Sequence, residues 1–215
     1  MSVEKNLLNK PLEEDVVAGM LMLLKKKGSK TLEIPEGFTH IEDNVLNYRN
    51  SGLSYLKEIE EIIYPESMLC IGSSLGLCSL KRVTLPSNLK CIGGCAFNGN
   101  SYGFLGRDVK DKRTMEKIVI PAGAKLEADR SKGYFGCALT GIHAIEELIF
   151  EEGCTEIDWG MFFKNKVNYL YIPDSVKKLN NRKQFAADVE IEKISVPTHL
   201  KDRMSDKVAK EIIVR

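Results

Sequence analysis

The sequence predicts an α/β repeat solenoid, a coil with a parallel sheet along one face and a helical cap at its N-terminal end. Three observations predict it. Six of the seven prolines close the same short phrase, and a seventh copy has glutamate in the proline's place. The copies are Leu32-Glu33-Ile34-Pro35, Ile62-Ile63-Tyr64-Pro65, Val83-Thr84-Leu85-Pro86, Ile118-Val119-Ile120-Pro121, Leu148-Ile149-Phe150-Glu151, Leu170-Tyr171-Ile172-Pro173 and Ile194-Ser195-Val196-Pro197. An apolar residue follows six positions after most of these anchors, at Ile41, Ile71, Ile92, Ile157 and Leu179. Self-similarity with a period in the low twenties marks stacked units, each unable to bury its apolar face alone.

Within each phrase the first and third residues are apolar and the middle one varies, the pattern of a short strand with one face buried. Proline then ends the strand, because it has no N–H to donate and its φ is fixed. The return segment brings bulky anchors such as Ala96-Phe97 and Met161-Phe162. Before the first repeat, acids at Glu13-Glu14-Asp15 precede an apolar run and Lys25-Lys26-Lys27 follow it, with Gly28 as the stop. That charge order suits the dipole of a soluble helix over residues 11–27. Pro11 is placed in its first turn, and Leu12, Val16, Met20 and Leu23 or Leu24 on the face that caps the core. At the other end, Asp202 to Lys210 is expected to form a short helix, and Ile212-Ile213-Val214 a last strand. The expected organisation is therefore a cap over 1–29, about seven coils over 30–200 and a second cap over 201–215.

The residues resemble a known family. Leu80-Lys81-Arg82-Val83-Thr84-Leu85-Pro86-Ser87-Asn88-Leu89-Lys90-Cys91-Ile92-Gly93-Gly94-Cys95-Ala96-Phe97 is similar, almost position for position, to the repeat of BspA-like (Treponema-type) leucine-rich-repeat proteins. Leu77-Cys78-Ser79-Leu80 supplies the family's cysteine-and-leucine close, and the resemblance covers about residues 30 to 200. It implies a leucine-rich-repeat-like right-handed coil and a non-enzymatic protein-interaction module. Later units depart from the pattern: Glu151 replaces proline, Asn180 replaces glycine, and the Ala-Phe pair blurs around Lys183-Gln184-Phe185. Many such relatives are exported surface proteins that bind host or matrix proteins.

Composition narrows the partners. With 43% hydrophobic and 28% charged residues the 215-residue chain is a folded protein, and a net charge of +1 gives no case for nucleic acid. The run Val16 to Leu24 is too short for a bilayer and has the wrong charge order for a signal peptide. The expectation is a cytoplasmic protein, an intracellular bacterial or phage binder acting as adaptor or inhibitor of a protein complex. The alternative is a surface or secreted adhesin exported by an unrecognised route. The six cysteines, Cys70, Cys78, Cys91, Cys95, Cys137 and Cys154, are expected as reduced, buried thiols.

No catalytic set or cofactor motif is present: His40, His143 and His199 lie in different units. Gly103-Phe104-Leu105-Gly106-Arg107 lacks the Gly-Lys-Ser/Thr ending that cradles phosphate. Five positions past successive anchors stand His40, Cys70 and Cys91, followed by Glu156 and Lys178, a column expected to be a ladder of part-buried side chains and not a metal site.

The candidate binding residues lie elsewhere. The middle strand positions Glu33, Ile63, Thr84, Val119, Ile149, Tyr171 and Ser195 are expected to face outward. Beside them runs a second column, Thr31, Glu61, Arg82, Lys117, Glu147, Tyr169 and Lys193. An apolar patch at Ile63, Val119, Ile149, Tyr169 and Tyr171, if exposed, marks an interface. The long spacings fall at Asn98–Met115 and Glu127–Ile145, inserted loops that hold Arg107 and Tyr134 and are expected either to join the binding face or to be tolerated surface decoration. The expected partner is another protein; a homodimer through the sheet face is the alternative.

Overall fold

The computed structural model describes residues 10–75, 77, 79–97, 114–126, 138–139, 142, 144–158, 166–180, 190–204 and 209–215. Its main feature is a parallel sheet of eight strands in chain order: Thr31–Glu33, Glu61–Ile63, Arg82–Thr84, Thr114–Ile120, Ala144–Phe150, Lys166–Tyr171, Glu190–Val196 and Glu211–Val214. Each of the seven phrases forms a strand, and the expected Ile212-Ile213-Val214 forms the eighth. The apolar first residues stack in register, Leu32 on Ile62 on Val83, then Ile118, Leu148, Leu170 and Ile194, all buried. Burying each such side chain is worth about 1.5–3 kcal/mol, and one unit alone provides no wall for it.

After each strand the chain turns on the anchor residue. The carbonyls of Pro65, Pro86, Pro121, Pro173 and Pro197 each accept the N–H three residues on, from Met68, Leu89, Ala124, Val176 and Leu200. Glu151 keeps this turn: its carbonyl accepts from Cys154 at 3.2 Å. Having an N–H that proline lacks, Glu151 also donates to the Ile120 carbonyl at 3.0 Å. The degenerate copy has thus lost its proline and gained a bond between coils.

The chain then enters a second ladder, His40–Ile41, Cys70–Ile71, Cys91–Ile92 and Lys125–Leu126, again parallel. The glycine of the Ile-Gly pair has a steric reason. A Cβ on Gly72 would lie 2.6 Å from the Glu42 carbonyl carbon and 2.7 Å from the Ile41 oxygen, so only glycine lets the coils close. Farther along, the ladder among the described residues is Glu156–Asp158 paired with Lys178–Asn180.

The caps differ from expectation in detail. The helix spans Glu14–Lys27 and ends at Gly28, whose φ of 65° and the Ser29 N–H bond to Leu24 make a Schellman close. Its core-facing residues are Val17 and Leu21, while Val16 and Leu23 are 38% and 54% exposed. Of the expected face, Leu12 is buried and Met20 and Leu24 pack against the core; Val16 is displaced from it by its neighbour Val17. Pro11 is not in the helix; it bridges His40 in parallel, and the Leu12 N–H donates to the His40 carbonyl at 2.9 Å. Residues 10–12 therefore cover the open edge of the second ladder. At the far end Asp202 and Arg203, expected to open a helix, close a 3-10 turn, Thr198–Arg203, that follows Pro197, and residues 205–208 lie outside the described residues. Residues 209 and 210 are non-helical.

The strands at Thr114 and Ala144 start inside the expected insertions, whose last two residues are strand. The remainder of both insertions lies largely outside the described residues, as do Arg107, Tyr134, Met161-Phe162 and the Gln184-Phe185 region. No helix among the described residues is long and apolar enough to cross a membrane.

Candidate interaction surface

Both outward columns exist as rows of side chains in register. The polar one runs Thr31, Glu61, Arg82, Lys117, Glu147, Tyr169, Lys193 and on to Glu211. Its charges satisfy one another. The Thr31 hydroxyl donates to Glu61 at 3.1 Å, Arg82 Nε donates to Glu61 at 3.2 Å, Lys117 stands 3.4 Å from Glu147, and Lys193 stands 3.1 Å from Glu211. A parallel row one residue earlier does the same: Lys30 and Lys81 hold Glu60 at 2.7 and 3.0 Å, and Lys166 and Lys210 hold Glu192 at 3.3 and 2.8 Å. The two lysines hold the Glu60 carboxyl down to about 2, and Lys210 lowers that of Glu192. Such exposed pairs contribute little individually, but they leave this half of the face little charge to offer a partner.

The apolar column is different. Val119, Ile149 and Tyr171 stand on three consecutive rungs, and Ile63 lies two coils before Val119. They are half-buried, not openly exposed as a free apolar patch would be. Neighbours about 4.8 Å above and below cover the flanks of each side chain and leave the tip in water. Thr84 and Glu33 are exposed, and Tyr169 is half-buried. Ser195, expected to face out, is 2% exposed: a small side chain between Tyr171 and Ile213 is roofed by its neighbours. Tyr171 is itself held, its hydroxyl accepting from Arg215 at 2.7 Å with the guanidinium 4.2 Å above the ring.

The column on the second ladder also differs from expectation. His40, Cys70 and Cys91 do stand on consecutive rungs, with Lys125 next. Cys70 and Cys91, however, are joined in a disulfide, where reduced thiols were expected. The shared register brings their Cα atoms to 4.7 Å, within reach of an S–S bond. Glu156 and Lys178 form their own pair at 3.2 Å. Cys95 and Cys154 are buried and form no disulfide, and burial pushes the Cys154 thiol up. Cys78, Cys137 and the Gly103–Arg107 loop lie outside the described residues.

One set of polar residues escaped the sequence reading. In three coils the residue after the anchor is glutamate, and its carboxylate accepts backbone N–H groups from the turn of the next coil. Glu36 accepts from Glu66 and Ser67 at 2.9 and 3.1 Å, Glu66 from Ser87 at 3.2 Å, and Glu152 from Asp174 and Ser175 at 2.9 and 3.2 Å. Ser67 and Ser175 reciprocate, donating to the Phe38 and Cys154 carbonyls of the preceding coil. These N–H bonds hold the Glu36 and Glu152 carboxyls below the usual range. The available signal was the recurrence of glutamate directly after Pro35, Pro65 and Glu151.

A family model described as the BspA type leucine rich repeat region matches residues 24–103 and 134–207, in six copies. This chain belongs to the BspA-type leucine-rich-repeat family. The eight-stranded parallel sheet with its N-terminal helix is the solenoid that membership implies, and the stretch left unmatched, 104–133, falls across the insertions. No curated protein and no solved structure matches the chain. Leucine-rich repeats of this family suggest a protein-interaction module.

Proposed function

We propose that this leucine-rich-repeat chain is a non-enzymatic module that recognises another protein through the apolar half of its long sheet. The observation that carries this reading is the division of the outer face. The charged columns are paired internally, so what the face has left to offer is the row Val119, Ile149 and Tyr171, with Ile63 as an outlier. Half-buried branched and aromatic side chains held rigidly on strands lose little entropy when covered. Arg82, Lys117, Thr84 and Tyr169 border the row, and Arg107 and Tyr134, in the two sequence insertions, lie outside the described residues. In this reading the chain works inside a bacterial or phage-infected cell as an adaptor or inhibitor of a protein complex.

Affinity purification of the tagged chain from its native lysate, with mass spectrometry, tests the proposal. The expected result is one dominant partner, lost when Ile63, Ile149 and Tyr171 are all changed to Asp while the circular dichroism spectrum is kept. Undiminished capture by that folded triple variant would sink it.

The Cys70–Cys91 disulfide favours a second reading, a surface or secreted adhesin, because such bonds persist in oxidising compartments. Cell fractionation with thiol labelling separates the two: labelled Cys70 and Cys91 in the soluble fraction support the first, and unlabelled cysteines at the cell surface the second.

A further inference from the structure

The described cysteines fall into two kinds. Cys95 and Cys154 are buried in the core, whereas Cys70 and Cys91 are only half-buried, so reagents in solvent can reach their sulfurs. Cys70 and Cys91 occupy neighbouring rungs of the second ladder, and backbone bonds hold them there on both sides. The Leu69 carbonyl accepts from the Lys90 and Cys91 N–H groups at 2.8 and 3.1 Å, and the Ile71 carbonyl accepts from Gly93 at 2.7 Å. One rung back, the Thr39 carbonyl accepts from Leu69 at 2.7 Å; one rung on, the Lys90 carbonyl accepts from Lys125 at 2.8 Å. The separation of 4.7 Å between the two Cα atoms is thus set by the ladder, and the S–S bond can open and close with the backbone in place.

The two sulfurs have different neighbours. Lys125 is in register with Cys91, and His40 with Cys70. Residues in register on a parallel ladder project from the same side, about 4.8 Å apart. Lys125 is exposed and forms no ion pair among the described residues, so its ammonium is left to act on Cys91. On the Cys70 side, the His40 Nδ1 is engaged with the Thr39 hydroxyl at 3.2 Å. A neighbouring cation favours the thiolate, and the sulfur that makes the better thiolate leaves faster when a disulfide is attacked.

We propose that Cys70–Cys91 is a thiol–disulfide exchange site that works in the folded chain. Its reactants are low-molecular-weight thiols and their disulfides, and Cys91 is the leaving sulfur. A small thiolate attacks Cys70 Sγ; the bond to Cys91 breaks, and its electron pair stays on Cys91 as a thiolate beside Lys125. A second small thiolate then attacks the small-molecule sulfur now joined to Cys70, releasing the symmetric small disulfide and the Cys70 thiolate. The two protein sulfurs take up the two protons that the small thiols gave up. Two small thiols are oxidised to one disulfide, and the protein disulfide is reduced by two electrons. In reverse, a small disulfide closes the pair. The site is a covalent latch between the second and third coils, set by the balance of small thiol and disulfide around the chain. It is separate from the recognition face, and neither proposal depends on the other.

The test treats the full, folded chain with reduced glutathione, quenches with iodoacetamide at intervals and maps the cysteine peptides. The bond should open without denaturant and with an unchanged circular dichroism spectrum, and should reclose when glutathione disulfide is added. Early samples should carry glutathione on Cys70 and the alkyl label on Cys91, with Cys95 and Cys154 unmodified. Lys125→Glu should slow opening by about threefold or more and move the glutathione toward Cys91, while Lys125→Arg keeps the wild-type pattern. A lysine with a merely structural role would leave the choice of sulfur unchanged. A bond that opens only in denaturant overturns the proposal, as does a reduced pair that glutathione disulfide cannot reclose. Glutathione divided alike between Cys70 and Cys91 in the wild type and in Lys125→Glu overturns the assignment of Cys91 as the leaving sulfur.

Discussion

The front coils and the rear coils of this solenoid are held together by different means. From Thr31 to Thr84 the sheet strands have three residues each, and the coils are held at the second ladder. There His40, Cys70, Cys91 and Lys125 run on adjacent rungs, Gly72 and Gly93 let the backbones approach, and the disulfide joins two coils. From Thr114 to Val196 the strands lengthen to six or seven residues, and among the described residues the second ladder beyond Lys125–Leu126 is the single pair Glu156–Asp158 and Lys178–Asn180. The longer strands take in a core column three residues before each phrase, Met115, Ile145, Val167 and Ile191, which Ile59 and Leu80 fill from outside the strands in the front coils; all are buried. A solenoid needs its coils fastened on at least one side, and here the fastening changes sides along the chain.

The largest effect expected from this comparison is at Gly72. Replacing it with Ala forces a Cβ against backbone atoms of the preceding coil at 2.6–2.7 Å, with no flexible side chain to yield. Gly72→Ala should cost about 4 kcal/mol by denaturant titration. A loss under about 1 kcal/mol would mean that the second ladder is not what holds the front coils. In the rear the corresponding test is Ile145→Ala, which empties part of that column and should cost about 3 kcal/mol. If it costs no more than a surface change, the added strand length is not carrying the rear coils.

The disulfide sharpens the comparison further. Opening its 21-residue loop, by reduction or by Cys70→Ser with Cys91→Ser, should lower stability by about 2–3 kcal/mol. Hydrogen exchange should rise around Ile71 and Ile92 and stay unchanged around Leu148 and Leu170. A uniform rise would show that the coils melt as one unit and erase the division.

The smallest effect is electrostatic and is shared by both halves. The carboxyls of Glu36, Glu60, Glu152 and Glu192 are all lowered in the folded chain. Their contribution is therefore complete above the unfolded glutamate value of about 4.3 and is lost as the pH falls through the folded values. The Glu60 contribution should persist longest, its carboxyl staying ionised down to about 2. The melting temperature should be level from neutral pH to about 5 and fall below it, less steeply for a Glu36→Gln, Glu152→Gln variant. An equal acid slope in that variant would remove these turn bonds from the account.

What was legible in the sequence was whatever depends on short-range alternation. All seven phrases became strands, because an apolar–variable–apolar triplet before a chain-turning residue has few other uses, and their register places His40 beside Cys70 and Cys70 beside Cys91. What was not legible depends on phase or on neighbours. On the helix Val16 was misplaced because Val16-Val17 offers two apolar choices, while Leu12, Met20 and Leu24 face the core as expected. Ser195 is buried by side chains of Tyr171 and Ile213, which its own phrase does not contain. The disulfide was missed because the thiols were assigned from the compartment, although the spacing already aligned them. The turn glutamates were present as a repeat, but their role depends on N–H groups of the next coil, which their own phrase does not contain.

Those glutamates give the solenoid a direction. Glu36, Glu66 and Glu152 each receive N–H groups from the coil that follows, so each of these coils presents a carboxylate to its successor. On a ribosome, the most recently emerged of these coils would hold that carboxylate in water, at little cost because the turn is exposed. The next turn then finds an acceptor already in place, about one rung away. At these three turns, one coil holds the acceptor that fixes the backbone of the coil after it.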